Sequence, residues 1–371
     1  SPLRMTDEII DMFLRLPEIE DNGLPLHERV NPFFTLQSLK RWTPLGVVSA
    51  ISAYNVPFYT AFWKVFPALM AGDSVILRPN PLTPISSLIF AEAADEACLP
   101  KGVLNVLIEE GLEGGQLMTT AERVDLVSFT GSCTVGVKVA QQAAPTLKRL
   151  VLELGGKSAQ IYLPDAVDRA AMAAPMVCLS HAGQGCVLGT RVFVPEEAKT
   201  QVLEGMKAAL ANTKIGVASD PATQLGPVIS AGQRDRCEHF TQAAVDAGGT
   251  VVCGGKRPDG LDKGFYWEPT VLDLPDNSNP AAQEEIFGPV VGVIGYKDID
   301  HAIEMANDSK FGLSGWVHGK DKVQSLEVGK RIRSGAVNVN GAAMSSYASG
   351  GGIKMSGLGR ERGVEGLREF Q

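Results

Sequence analysis

The sequence lacks several patterns that would assign it to a particular class of protein. Its six cysteines include no CxxC pair and show no disulfide-rich spacing, and its five histidines form no HxH or HExxH motif. The cysteine usage is typical of reduced thiols in the cytoplasm rather than of a disulfide-bonded secreted domain. The histidine spacing predicts no metal site.

Long apolar runs and basic blocks are also missing. No apolar run reaches the roughly 18 residues that a membrane-spanning helix needs. The net charge is -8, and no cluster of Lys and Arg stands out, which argues against a nucleic-acid partner. Residues 1–21 are amphipathic and acidic and lack the basic start and apolar centre of a signal peptide. We therefore expect a cytoplasmic protein.

What the chain does contain is an alternation of strand and helix patterns. With 371 residues, 44% of them hydrophobic, it is long enough for two folded domains. Short runs rich in Val and Ile, and one segment that mixes aromatic and β-branched residues (34–39), predict strands, and stretches with apolar residues at helical spacing predict helices. The strands are predicted at 34–39, 45–52, 73–79, 102–108 and 124–131, and the helices at 6–16, 57–72 and 84–100. This alternation predicts a parallel sheet covered on both faces over 45–155, and a second α/β series beyond residues 152–163.

Two segments lie where ligands bind in such a sheet, beyond the carboxyl ends of strands. In "SFTGSCTVG", Gly131 and Gly136 bracket a turn from strand to helix, where free backbone N–H groups favour phosphate. In "ISAYNVPF", Asn55 follows a strand, and its amide is placed to hold a developing oxyanion. Each has a structural alternative: a glycine turn without a ligand for the first, and a helix-capping Asn for the second.

Two further residues are candidates for catalysis. Glu153 in "LELGGKSAQI" lies among apolar residues, where burial would raise its pKa towards that of a usable base. Cys186 in "HAGQGCVLGTR" lies between small residues in a segment without helical or strand periodicity, which suits a reactive thiolate. The alternatives are a solvated strand-edge carboxylate and an inert buried thiol.

Taken together, the motifs resemble the aldehyde dehydrogenase superfamily. They occur in the family's order as "PLGVVSAISAYNVPF", "KVFPALMAGDSVILRPNPLTP", "SFTGSCTVG", "LELGGKSAQI", "GQGC", "EEIFGPV" and "KMSGLGRERGVEGL". The resemblance implies a Rossmann-like cofactor domain, a second α/β catalytic domain and a small oligomerisation strand region, with the active site in a tunnel between the first two. By this resemblance the segments are 1–25 (helical part of the cofactor domain), 26–44 (oligomerisation strands), 45–155 (cofactor binding), 156–348 (catalysis) and 349–371 (C-terminal return).

The resemblance also implies a mechanism. Cys186 would attack the aldehyde to form a thiohemiacetal, with Asn55 and the Cys186 backbone N–H as the oxyanion hole. Hydride transfer to the nicotinamide would leave a thioester, which Glu153 would hydrolyse by activating water. His181 has no role in the motif and is interpreted as structural.

The implied cofactor is NAD, with NADP as a second possibility. The implied cofactor-binding residues are Ser52, Ala53, Arg78, Pro81, Gly131, Ser132, Gly136, Glu285 and Phe287. Arg78 stands where the family usually has Lys, and Pro81 where many NAD-dependent members carry a Glu. Arg78 can pair with the 2′-phosphate of NADP, and Pro81 would not repel it.

The implied substrate tunnel has few aromatic walls. Its residues would be Val56, Thr60, Trp63, Met344 and Gly350, with Val56 and Gly350 in place of frequent Phe residues. This predicts a bulky or long apolar aldehyde as substrate and a carboxylic acid as product. Relatives extend beyond both ends of this chain, which we expect to be a shortened homodimer or homotetramer. The alternatives are a CoA-acylating semialdehyde dehydrogenase and a catalytically silent relative.

Overall fold

The computed structural model describes residues 41–342, 345 and 347–371, and the backbone of 28–31 and 34–37. The predicted helix at 6–16 and the segment 1–25 lie outside these residues. Residues Glu28–Asn31 (β1) and Phe34–Gln37 (β2) pair as an antiparallel hairpin, which confirms a strand within the predicted 34–39. Within the described residues, no helix combines the length and the apolar character that crossing a membrane requires.

The described chain packs as two units. The first consists of the chain up to Glu153, residues 347–350 and Leu358–Gln371. The second runs from Leu154 to residue 342 and includes Gly351–Gly357. The chain thus passes from the first unit to the second inside the predicted connection 152–163. Near its end it returns to the first unit twice.

The first unit is built on a six-stranded sheet. Its strands are β3 (Val47–Ile51), β4 (Ser74–Arg78), β5 (Leu104–Val106), β6 (Leu126–Thr130), β7 (Arg149–Glu153) and β15 (Gly357–Leu358), in the order β15-β7-β6-β3-β4-β5. The pairs from β7 to β5 are parallel, as the alternating pattern predicts. Its helices are α1 (Pro57–Ala71), α2 (Ile85–Glu96), α3 (Glu113–Thr120), α4 (Cys133–Ala143) and α12 (Gly363–Arg368).

Two helix ends in this unit show how the sequence sets the boundaries. Helix α1 ends at Gly72, which has φ +96° and donates its N–H to Ala68 and Leu69, as the Gly after the apolar pattern predicts. The helix predicted at 84–100 is shorter, because Cys98 adopts a left-handed conformation and Pro100 follows.

The second unit is built on a seven-stranded sheet. Its strands are β8 (Ala159–Tyr162), β9 (Arg191–Pro195), β10 (Thr250–Cys253), β11 (Thr270–Asp273), β12 (Val290–Tyr296), β13 (Ser314–His318) and β14 (Ala336–Val339), in the order β10-β11-β12-β9-β8-β13-β14. Only the β10–β11 pair is antiparallel. The helices are α5 (Val167–Ala173), α6 (Met176–Leu179), α7 (Lys199–Leu210), α8 (Ala231–Asp246), α9 (Pro280–Gln283), α10 (Ile299–Asn307) and α11 (Lys322–Lys330).

Buried apolar side chains cover the sheet faces in each unit. In the first, Val48, Leu77 and Leu126 of the central strands pack with residues of α1. In the second, one cluster includes Ile161 and Phe193, and another includes Val192 and Val271. Neighbouring residues of β9 therefore point into different clusters, as expected for a strand buried on both faces.

Candidate functional site

In the first unit, most of the predicted site residues lie at the carboxyl edge of the sheet. Ser52 follows β3, Arg78 ends β4, Gly131 follows β6, and Glu153 ends β7. Parallel strands end at a common edge, and ligands of open α/β sheets bind beyond it. The strand order therefore collects residues that are far apart in the sequence.

The turn after β3 is held by a buried hydroxyl. Thr60 Oγ1 accepts the N–H of Ala53 at 3.2 Å and also contacts the carbonyl of Val56 at 3.2 Å. Asn55 lies in this turn, one residue before the N-cap of α1, and the helix starts without a side-chain cap. The N-cap position is thus Val56 rather than Asn55.

Two hydroxyls at the same edge are buried without a hydrogen-bond partner in the described structure. They are Ser52 Oγ, just after β3, and Thr130 Oγ1, the last residue of the neighbouring strand β6. An unsatisfied buried hydroxyl costs free energy, so polar atoms of a ligand are natural partners for both.

The glycine turn after β6 leads into α4. Ser132 is the N-cap of this helix, and its side chain accepts the N–H of Val135 at 3.4 Å. A Cβ on Gly131 would collide with the ring of Phe129, so the close approach here is to a side chain of the protein itself. Gly136 is buried within the first turn of α4. The N-terminal N–H groups of α4 lie at the carboxyl edge of the sheet, where they favour the binding of an anion.

Arg78 is already paired. Its Nε contacts Oε1 of Glu109, and its Nη2 donates to the carbonyl of Gly111 at 2.8 Å. Pro81, three residues further on, is exposed in a turn. Sequence reasoning missed Glu109, which follows β5 in the acidic run "IEEGLEGG".

Glu153 belongs to a buried charged cluster. Its Oε1 is buried without a hydrogen-bond partner in the described structure. Burial, reinforced by the nearby carboxylate of Glu361, raises the pKa of Glu153 to about 8, against the opposing influence of Lys64. Lys64 Nζ lies 2.5 Å from Glu361 Oε1 and 3.2 Å from Ser128 Oγ. The sequence analysis missed Lys64 and Glu361, although a Lys inside the apolar helix "AFWKVFPAL" is a signal of a buried partner.

The predicted tunnel residues of the first unit meet an arginine. The guanidinium of Arg362 lies 5.5 Å from the ring centroid of Trp63. A Cβ on Gly350 would collide with the same guanidinium. Val56 is half-buried in the turn before α1. Met344 lies outside the described residues.

In the second unit, the candidate residues lie at the amino edge of the sheet. Gly156 shortly precedes β8, Cys186 shortly precedes β9, and Glu285 shortly precedes β12. Because β12, β9 and β8 are neighbours and parallel, the three segments meet at one edge.

The segment before Cys186 is strained. His181, Ala182 and Gly183 have φ values of +50°, +51° and +71°, and residues other than Gly rarely adopt this conformation. A Cβ on Gly183 would collide with the carbonyl of Gly288, and one on Gly156 would lie 2.7 Å from the carbonyl of Cys186. Cys186 itself is partly exposed, whereas Cys178 and Cys237 are buried and have pKa values raised by burial. His181 is exposed, and its interpretation as a structural residue stays a prediction.

Glu285 and Phe287 each accept a hydrogen bond from another segment of the second unit. Glu285 Oε1 accepts the N–H of Gly156 at 2.9 Å, and burial raises the pKa of this carboxyl. Phe287 adopts φ +59°, and Gln233 Nε2 donates to its carbonyl at 2.7 Å. Backbone strain of this kind is concentrated at functional sites.

Comparisons with known proteins place these motifs in a family. The sequence model of the aldehyde dehydrogenase family matches residues 17–371. Proteins named as aldehyde dehydrogenases from Staphylococcus epidermidis and Staphylococcus saprophyticus are 40% identical over 328 residues, which is 88% of this chain and 69% of theirs.

Solved structures of aldehyde dehydrogenases also resemble this chain. Aldehyde dehydrogenase C of Pseudomonas syringae, a mutant in complex with NAD+ and octanal, is 36% identical, with a TM-score of 0.91 over 100% of this chain and 75% of that one. An aldehyde dehydrogenase of Mycobacterium tuberculosis in complex with NAD+ is 42% identical, with a TM-score of 0.85 over 88% and 68%. Betaine aldehyde dehydrogenase of Staphylococcus aureus, also with NAD+, is 36% identical, with a TM-score of 0.90 over 99% and 75%. The predicted α/β fold is confirmed by these neighbours.

Proposed function

Because the chain belongs to the aldehyde dehydrogenase family, we propose that it oxidises an aldehyde to the carboxylic acid with NAD+ as hydride acceptor. Cys186 is the proposed nucleophile, Asn55 the oxyanion donor and Glu153 the base. The observation that carries the proposal is the raised pKa of Glu153, because a base with a pKa of about 8 suits proton transfer near neutral pH.

In the first step the Cys186 thiolate forms a bond to the aldehyde carbon, and the C=O π bond breaks. The carbonyl oxygen becomes an oxyanion, which the Asn55 side-chain amide and the Cys186 backbone N–H stabilise. Bound NAD+ would supply the acceptor for the hydride of this carbon, so that Cys186 would then carry a thioester. The partial exposure of Cys186 among small residues supports its role, since a reactive thiol has to be accessible.

The second step hydrolyses the thioester. Glu153 takes a proton from water, the hydroxide attacks the acyl carbon, and the Cys186 thiolate leaves with formation of the acid. The proton then has to leave the buried carboxyl of Glu153. The Lys64–Glu361 pair and the Ser128 hydroxyl lie in the same buried cluster. We propose that burial and the Glu361 carboxylate keep the pKa of Glu153 raised, while Lys64 limits the rise.

The described residues fit a dinucleotide. Ser52 Oγ and Thr130 Oγ1 offer unsatisfied hydroxyls, and the N-terminus of α4 at Ser132 offers N–H groups for the pyrophosphate. Ala53, Arg78, Pro81, Gly131 and Gly136 are the further proposed cofactor residues of the first unit. In the second unit, Glu285 is the proposed partner of the nicotinamide ribose, and Phe287 is proposed to pack near the nicotinamide ring. Structural neighbours in complex with NAD+ support NAD as the cofactor.

The proposed substrate is a long or bulky apolar aldehyde. The octanal in the complex of the Pseudomonas syringae neighbour supports a long apolar chain. Val56 gives room where a Phe is frequent, whereas the room at Gly350 is reduced by the Arg362 guanidinium. We further propose a cytoplasmic homodimer or homotetramer. None of the six cysteines forms a disulfide bond in the described structure, which supports a reducing compartment.

A spectrophotometric screen of aldehydes tests this proposal. Octanal and shorter aldehydes are offered with NAD+, NADH formation is followed, and the product is identified as acid or, with CoA present, as acyl-CoA. We expect the acid as product, a preference for octanal over acetaldehyde, and no NADH from Cys186→Ala. Equal turnover by Cys186→Ala would refute the proposed nucleophile.

A further inference from the structure

We propose that Glu109 is a specificity-determining residue that makes this chain select NAD over NADP by neutralising Arg78. The inference rests on the proposed function, because it concerns the adenosine end of the same cofactor. Glu109 lies in the loop after β5, and Arg78 ends the adjacent strand β4. Both therefore belong to the carboxyl edge of the first sheet.

The two side chains form an almost buried ion pair. They are only 9% and 15% exposed, and the pair joins Arg78 Nε to Glu109 Oε1. Arg78 Nη2 is bound to the carbonyl of Gly111. A guanidinium that already binds a carboxylate and a carbonyl has a low affinity for a phosphate, because the phosphate would have to displace one of them.

The same carboxylate also binds the N-terminus of α3. Glu109 Oε2 accepts the N–H of Gly114, and Oε1 accepts the N–H of Gly115, each at 2.8 Å. A guanidinium and a helix N-terminus are the two features that bind phosphate best, and one carboxylate holds both here. The hydrogen bond from Arg78 and those from the glycines also lower the pKa of Glu109, so it is ionised at neutral pH.

The contacts indicate how Glu109 acts. Its oxygens are engaged by Arg78, Gly114 and Gly115, so it discriminates through charge rather than by binding the ribose itself. In dinucleotide-binding sheets, an acidic residue near a strand end favours the 2′-hydroxyl and an arginine accommodates the 2′-phosphate. This chain has both an acidic residue and an arginine, but the Glu109 carboxylate neutralises the charge of Arg78. The Glu109 carboxylate, in the loop after the adjacent strand β5, thereby compensates for the absence of a carboxylate at Pro81.

A purely structural role makes a different prediction. If the ion pair only joined β4 to the loop after β5, its loss would lower stability and weaken NADH and NADPH alike. Neutralising Arg78 predicts instead that loss of the carboxylate charge improves NADPH binding relative to NADH. The ratio of the two affinities therefore separates the two roles.

The test is fluorescence titration of the full chain with NADH and with NADPH, without aldehyde. Glu109→Gln keeps the size and an acceptor oxygen but removes the charge. Glu110→Gln is the matched control, since it removes the same charge from an exposed neighbour. We expect wild type to bind NADH more tightly, and Glu109→Gln to shift the NADPH/NADH affinity ratio by about tenfold towards NADPH, or about 1.4 kcal/mol. For Glu110→Gln we expect a shift of less than about twofold. For the double variant Glu109→Gln/Arg78→Gln we expect no gain in the NADPH/NADH affinity ratio over wild type.

Several results would overturn the inference. An unchanged ratio in Glu109→Gln, with both nucleotides still bound, would refute it while leaving the proposed function intact. Equal shifts in Glu109→Gln and Glu110→Gln would show only a general charge effect. Wild type that bound neither nucleotide would refute the proposed function itself. If Glu109→Gln does not fold, Arg78→Gln alone decides, because an uncompensated Glu109 should weaken NADPH more than NADH, whereas equal weakening would contradict the account.

Discussion

The ammonium of Lys64 lies 2.5 Å from the carboxylate of Glu361, and this pair joins α1 to the C-terminal part of the first unit. Lys64 is fully buried, and Glu361 is 8% exposed. Removing one partner of a buried pair leaves the other charge without compensation, which costs far more than the pair itself contributes.

We therefore expect Lys64→Met to destabilise the protein by about 3–5 kcal/mol in urea unfolding. The matched control is Lys330→Met, which breaks the exposed Lys330–Glu327 pair at 2.6 Å. Exposed pairs contribute little, so the control should unfold with no measurable change. Similar unfolding midpoints for the two variants would show that the Lys64–Glu361 pair is not buried as described.

The pKa of Glu153 predicts a pH dependence of thioester hydrolysis. Glu153 has to be ionised to take a proton from water, so the hydrolysis rate should rise with pH through a midpoint near 8. Stopped-flow measurement of acid release after the first turnover follows this step. In Glu153→Gln the rate should be slower by about a hundredfold or more, and this rise should vanish. A wild-type rate that falls between pH 7 and pH 9 would contradict the role of Glu153.

The same pKa predicts a pH dependence of stability. The pKa of Glu153 in the folded protein lies above its ordinary value of 4.5, so folding favours the protonated carboxyl. This contribution is complete below pH 4.5 and is lost as pH rises through 8. Glu153→Gln cannot ionise and does not lose this contribution. The melting temperature of the variant minus that of wild type should therefore increase by a few °C from pH 6 to pH 9. A constant difference across this range would mean that Glu153 titrates normally.

The conformation before Cys186 predicts a large cost for one methyl group. Gly183→Ala has to adopt a left-handed conformation and displace the carbonyl of Gly288, which together should cost about 2–5 kcal/mol. Gly260 has a similar φ of +77° with open space around it, so Gly260→Ala should cost only about 1–2 kcal/mol. Urea unfolding compares the two. Equal costs would show that Gly183 does not pack against Gly288.

Local sequence patterns predict much of the fold but little of the charged site. Strands such as β3 and β4 are short apolar runs buried on both faces, and Gly72 marks a helix end because only glycine adopts its conformation readily. The motifs also lead to Glu153, Cys186 and Glu285, which the sheets bring to strand edges. The Lys64–Glu361 pair escapes such reasoning, because 297 residues separate its partners.

Glu109 escapes sequence reasoning for another reason. The acidic run around it is typical of a solvated loop, and only the adjacency of β4 and β5 brings its carboxylate to Arg78. Sequence reasoning likewise could not foresee that Arg362 lies where a side chain at position 350 would be. Such pairings depend on tertiary structure rather than on local composition.

Intact-protein mass spectrometry tests most directly whether Cys186 carries the acyl group and Glu153 removes it. Glu153→Gln is incubated with octanal and NAD+, and then digested to locate any adduct. We predict one octanoyl group per chain on Cys186, formed with one NADH, whereas wild type releases octanoic acid without accumulating the adduct. An unmodified Cys186 in a variant that still turns over octanal would contradict the account.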